Sequence, residues 1–189
     1  MANDLFTKLR EEIDSSDKIR ERLIIESRPV LKEAKQATVL LHKNSVKEAK
    51  THLDAAKKTL KELKKLYLEN PYVGAFREAL EEYCESAQYY SYVTTGKLPD
   101  PKDLEADAET YLLALSDLTG ELARRAVFSV VNEDFAEVTK ISEFVHVIHD
   151  EFSDFALRNG ELRKKQDSVK WNTKKIEDIL YDLKIRGKI

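Results

Sequence analysis

Apolar residues recur along most of the chain at intervals of three and four, the spacing that sets one face of a helix against a core. Short breaks divide this pattern into seven segments. The first runs from Asn3 to about Asp14, and Ser15, Ser16 and Asp17 form a break that doubles as the next N-cap. The second continues to about His42, with Ile24, Leu31, Ala34, Thr38 and Leu41 at helical spacing and Pro29 inside it as a kink. Asn44 and Ser45 interrupt the pattern. A third helix, Val46 to Leu68, carries Leu53, Ala56, Leu60, Leu63 and Tyr67 on one face, and Asn70 with Pro71 at its first position opens a fourth to about Thr94. Gly96, Pro99 and Pro101 mark the obvious loop. The segment Glu109 to Val130 is apolar on nearly all sides and reads as the central helix of a bundle. Asn132 caps the sixth helix, which ends near Asn159 and Gly160, a pair suited to a left-handed C-cap; the seventh runs from Glu161 to Arg186, before Gly187.

Composition agrees with this pattern. Five glycines and four prolines in 189 residues are too few turn residues for a strand-rich fold. The expected architecture is therefore all-α, a seven-helix antiparallel bundle, with residues 1–189 forming one domain. A hydrophobic fraction of 42% beside 35% charged residues excludes both a membrane protein and the usual disordered composition. No apolar run approaches the ~20 residues that span a bilayer. Cys84 is the single cysteine and can form no internal disulfide, and the charged stretch Met1 to Glu12 lacks the apolar core of a signal peptide, so a cytoplasmic protein is expected. The net charge of -3 says little about nucleic acid, because it can hide a local basic face.

The chemistry concentrates on the fourth and fifth helices. Between Leu112 and Val130 the charged residues are Asp117, Glu121, Arg124 and Arg125, and at about 100° per residue they share one sector of the helix. On the fourth helix Phe76, Leu80, Tyr83 and Ala87 mark the core face, and Glu78, Glu82, Glu85 and Tyr89 form a stripe along its flank. Glu82 with Glu85, and Asp117 with Glu121, are each stacked on one helix face. If the two helices pack together, four acids converge. Their mutual repulsion in a poorly solvated cleft calls for cations, and magnesium, held by a few carboxylates and the phosphate oxygens of a substrate, supplies that compensation. Such a centre can hydrolyse phosphodiesters.

Other readings account for the same residues. Glu121 and Arg125 stand at ion-pairing distance along the helix, with Arg124 close by. The glutamates of the fourth helix also fit a solvated stripe. Glu143 and His146 form one Glu-x-x-His pair of the kind that di-iron bundles use twice, so His146 and His149 read as packing or surface residues. A stripe of Lys57, Lys61, Lys64 and Lys65 fits either a nucleic-acid contact or a solvated face.

The stretches EEYCES (Glu81 to Ser86) and ETYLLALSDLTGELARRAVFSVVNEDF (Glu109 to Phe135) resemble the translin family, and within it translin-associated factor X more than translin. LSDLTGEL is the most specific phrase. RERLIIESR and KEAKQATVLLHK (Arg20 to Arg28, Lys32 to Lys43) resemble the second helix of that subunit, and IEDILYDLKIRGK (Ile176 to Lys188) the closing helix of the family. The resemblance implies a seven-helix fold and a magnesium-dependent endoribonuclease acting on single-stranded RNA, with manganese a possible substitute. Glu82, Glu85, Asp117 and Glu121 fall on positions resembling the catalytic acids. Arg28, Lys35 and Arg124 match basic residues of related subunits and, with Arg125, are the candidate RNA contacts. The alternative is a non-catalytic translin-like scaffold that binds single-stranded RNA or DNA. The implied partners are single-stranded RNA, a translin-like second subunit, or further copies of the chain. The stretch Thr94 to Ala108 is shorter than in the eukaryotic catalytic subunit, and this favours a closed homo-oligomer, an octamer.

Overall fold

The structure, a computed structural model, describes residues 2–158 and 160–189. Six α-helices and one short 3-10 turn are present among them, and no strand. The helices are α1 (Ala2–His42), α2 (Val46–Glu69), α3 (Gly74–Thr95), α4 (Ala108–Val131), α5 (Phe135–Asp154) and α6 (Glu161–Ile185), with the 3-10 turn at Pro101–Leu104. The all-helical class is as expected; the count of seven is not. The first two expected helices are one, and α1 runs unbroken through Ser15, Ser16 and Asp17 and through Pro29. Serine and aspartate are good caps, but in a helix interior each costs only about 0.5 kcal/mol, and neither forces the backbone out of helical geometry.

The chain forms two compact units, residues 1–86 and 87–189, with the division falling inside α3. In the first unit α2 returns along α1. Leu23, Ser27, Val30, Ala34, Ala37 and Leu41 are buried on α1, and Ala49, Leu53, Ala56, Leu60 and Leu63 on α2. Both sets alternate steps of three and four, the seam of a left-handed helix pair. The seam on α1 lies one residue from the expected one: Ala34 and Leu41 are buried, whereas Ile24, Leu31 and Thr38 flank it half-buried. Asn44 makes the return possible, with φ 57° in the left-handed region that asparagine tolerates. Ser45 N–H donates to the Leu40 carbonyl at 2.9 Å and Asn44 N–H to Leu41 at 3.0 Å, closing the helix end.

Pro71 does not open α3. Asn70 closes α2, Val73 N–H donates back to the Asn70 carbonyl at 3.3 Å, and Pro71 occupies the second position of that turn, where its fixed φ is equally suited. Within the first unit Phe76 stacks on Tyr67, ring centroids 4.4 Å apart. The buried Ser86 hydroxyl lies 2.9 Å from the Ala34 carbonyl and 2.9 Å from the Thr38 hydroxyl, tying α3 to α1.

In the second unit α4 packs against both α5 and α6, and it carries buried residues around much of its circumference, from Thr110 to Ser129. This matches its expected central place. Asp107 caps it, accepting from Thr110 N–H at 2.7 Å. Asn132 ends α4, and it is Asp134 that caps α5, accepting from Glu137 N–H at 3.1 Å. The intervening Glu133 has φ 60° and completes the same left-handed closure as Asn44. The end of α5 also differs from expectation: it stops at Asp154, and Phe155 follows in extended backbone. Of the expected left-handed pair, Asn159 lies outside the described residues. Gly187, at φ 63°, ends α6 as its sequence suggests.

Candidate functional site

Glu82 and Glu85 belong to the first unit, Asp117 and Glu121 to the second. On α3 the two glutamates are half-buried one helical turn apart, between the buried Tyr83, Cys84 and Ser86. Glu82 Oε2 lies 3.7 Å from Lys35 Nζ on α1. Lys35, a candidate RNA contact, therefore partners a candidate metal ligand. It stays mostly exposed, as do Lys32 and Arg28, which lie along the same outer face of α1. That three-residue basic stripe was legible in the sequence only in part. On α2, Lys61 and Lys65 are exposed, whereas Lys57 and Lys64 are half-buried.

In the second unit Asp117 meets Lys165 of α6, whose ammonium contacts both carboxylate oxygens. The backbone brings them together. Ser116 Oγ donates to the Lys165 carbonyl at 2.9 Å, and one turn further along α4 Thr119 Oγ1 accepts from Asn172 Nδ2 at 2.9 Å. Lys165 was missed from the sequence, although one signal was present. It stands four residues before the buried Val169, at a core-facing position of α6 where a cation needs a partner.

Glu121 Oε2 lies 3.9 Å from Arg124 Nη1. Arg124 is 59% exposed and its guanidinium lies 5.8 Å from the Phe128 ring. Arg125 points elsewhere. Its Nε donates to Glu137 Oε1 at 2.8 Å, with side-chain exposures of 16% and 19%, and it also donates to the Tyr89 hydroxyl. Tyr89 is fully buried and does not lie on a polar flank. Burial, opposed by Arg125, pushes its hydroxyl pKa up to about 12. Tyr92 is likewise buried, and burial raises its hydroxyl well above the usual tyrosine range. Both belong to the core, whereas Tyr72 and Trp171 are exposed.

Among the described residues no three His, Cys, Asp or Glu side chains stand together as a metal-binding group. His146 and His149 each pair with one carboxylate. His146 Nε2 lies 3.0 Å from Glu177 and its Nδ1 2.7 Å from the Ser142 carbonyl, which together outweigh burial and raise its pKa. His149 pairs with Asp150.

The difference between the two arginines makes a prediction. Arg124→Ala removes one weak surface pair and one exposed cation, so stability is expected to change by less than about 1 kcal/mol. If Arg124 holds a phosphate, RNA affinity falls and the slope of log affinity against log salt decreases by about 0.7, the single-strand value per contact. Binding titrations at several salt concentrations measure it, and an unchanged slope removes Arg124 from the RNA surface.

Similarity to known proteins fits these observations. The translin family model matches residues 18–187. The chain belongs to the translin family. It is 43% identical to chicken (Gallus gallus) translin over 81 residues, which cover 43% of this chain but only 35% of that protein. Translin-associated protein X of Rattus norvegicus is 27% identical over an alignment of 227 positions, covering 96% of this chain and 78% of the relative. Local identity is thus higher to translin and coverage greater with translin-associated protein X. Among solved structures, AfC3PO in complex with duplex RNA superposes with a TM-score of 0.81 at 25% identity, over 98% of both chains. No helix among the described residues is long and apolar enough to cross a membrane.

Proposed function

We propose that this translin-family chain is a magnesium-dependent endoribonuclease that cuts single-stranded RNA internally. The observation that carries the reading is that Glu82, Glu85, Asp117 and Glu121 are all half-buried carboxylates held on helices. A carboxylate in that setting requires positive charge beside it, and its hard oxygens suit magnesium, or manganese in its place. Asp117 and Glu121 in the second unit, and Glu82 and Glu85 in the first, offer the same donor type. When bound, the metal would orient and activate water and stabilise charge on the attacking and leaving oxygens. The chain's own part is to hold these carboxylates on rigid helices and to offer Arg124, Lys35 and Arg28 to the phosphate backbone. Arg125, committed to Glu137 and Tyr89, has a structural role in this reading.

Supporting arguments come from relatives: one is a translin-associated protein X, and another is solved with duplex RNA. The same reading takes the protein as a cytoplasmic homo-oligomer, an octamer, or as one half of an assembly with a translin-like subunit. Leu5, Phe6, Leu9 and Ile13, exposed on the N-terminal half of α1, are apolar surface that such an assembly would cover. A second reading, a non-catalytic RNA- or DNA-binding scaffold, is favoured by the cations already seated on Glu82, Asp117 and Glu121.

Strand preference tests the substrate. With one sequence supplied as a labelled single strand and as a duplex, the single strand is expected to be cut at least about tenfold faster, because a flexible backbone reaches in-line geometry at lower cost. The duplex is expected to bind without being cut. Equal cleavage of both removes the strand preference, and cleavage of neither favours the scaffold.

A further inference from the structure

Lys165 is held against Asp117 by more than its own side chain. The Ser116 hydroxyl fixes its backbone carbonyl, and the Asn172–Thr119 bond fixes α6 to α4 one turn further along α4 and two turns further along α6. The root of the lysine therefore stays beside Asp117 whatever its side chain does. Side-chain exposures are 26% for Lys165 and 33% for Asp117, so the pair is only partly screened by water. The contacts at Glu82 and Glu121 are looser, at 3.7 Å and 3.9 Å, and their partners Lys35 and Arg124 are 67% and 59% exposed.

We propose that Lys165 is the resident counter-cation of Asp117, which a divalent cation must displace, so that this lysine sets the metal affinity of the second unit. The inference rests on the reading of Asp117 as a metal ligand. A carboxylate whose two oxygens both accept from one ammonium has little to offer a divalent ion until that ammonium withdraws. Removing both cations would leave a half-buried charge uncompensated, so one or the other is always favoured there. Lysine suits the exchange. Its four-carbon stem lets the ammonium swing away while the backbone stays in place, and the displaced charge is strongly hydrated. The lysine thus keeps Asp117 ionised and in position before metal arrives, at the expense of metal affinity.

Two measurements on the full chain test this without RNA. Manganese is titrated calorimetrically into the wild type and Lys165→Met, and both proteins are melted with and without magnesium. The variant is expected to bind manganese about tenfold more tightly, one competing cation having been removed. It should also melt below the wild type in chelator and regain the difference in magnesium, a recovery that loss of a purely structural contact would not show. Acetylation of lysines in the wild type, read residue by residue by mass spectrometry, needs no variant: Lys165 should become several times more reactive when manganese is added. Equal manganese affinity in both proteins, or Lys165 reactivity that manganese leaves unchanged, overturns the inference while the metal reading stands. If neither protein binds manganese, the metal reading falls and this inference with it.

Discussion

Asp117→Asn is expected to reduce magnesium-dependent cleavage of single-stranded RNA by at least about a hundredfold while leaving the helical circular dichroism spectrum unchanged. Asparagine keeps the shape of the side chain and removes its charge. An amide is a poor ligand for magnesium and a weaker partner for the Lys165 ammonium, so both cations lose their charged acceptor at once. The fold should tolerate this, because Lys165 is partly solvated and its backbone is anchored separately by Ser116. A stability loss of about 1 kcal/mol is the expected scale for a pair with this exposure. Glu82→Gln and Glu85→Gln should impair cleavage in the same direction, without the loss of the α4–α6 contact. Gel assays of labelled RNA at saturating magnesium read all three, and full activity in all three would remove the carboxylates from the mechanism.

Arg125→Ala should have the largest effect on stability, lowering the free energy of unfolding by about 3 kcal/mol. The guanidinium lies among Glu137, Tyr89 and Tyr92, and its removal leaves the Glu137 carboxylate with 19% exposure and no cation of its own at that contact. It also deprives the fully buried Tyr89 hydroxyl of its donor. Denaturant titration measures the loss, and Arg125→Ala combined with Glu137→Ala should recover part of it, because the orphaned charge is then gone. RNA affinity of the folded single variant should stay within about twofold of wild type, since one phosphate contact alone is worth more than that at low salt. The contrast with Arg124→Ala is informative because the two arginines are neighbours in sequence. A stable Arg125→Ala protein that has lost RNA affinity would reverse their roles.

Much of the fold could be read from periodicity, and the failures have local causes. The buried face of α2 follows Leu53, Ala56, Leu60 and Leu63 as their spacing indicates, and α4 is surrounded because its sequence is apolar on nearly every side. Helix ends were harder. Ser15 to Asp17 carries cap residues, but nothing in it forces a break, whereas Pro71 and Asn132 each suit the end of one helix as well as the start of the next. On α1 the choice between Ile24, Leu31 and Thr38 and the true seam of Leu23, Val30 and Ala37 turns on one residue of rotation, about 100°. Side-chain partners were harder still. The acidic residues and their stacking along each helix were visible, but Lys165 is far from Asp117 in sequence, and the turn of Arg125 towards Glu137 depends on how α5 packs on α4. Helical spacing describes one element at a time, and such pairs join two.

Incubation of the purified chain with end-labelled single-stranded RNA, first in chelator and then with magnesium restored, tests the central claim most directly. The account predicts intact RNA in chelator and a ladder of internal cuts on adding magnesium, with manganese able to substitute. RNA that binds but remains full-length in both metals would contradict it and leave the protein a nucleic-acid-binding scaffold.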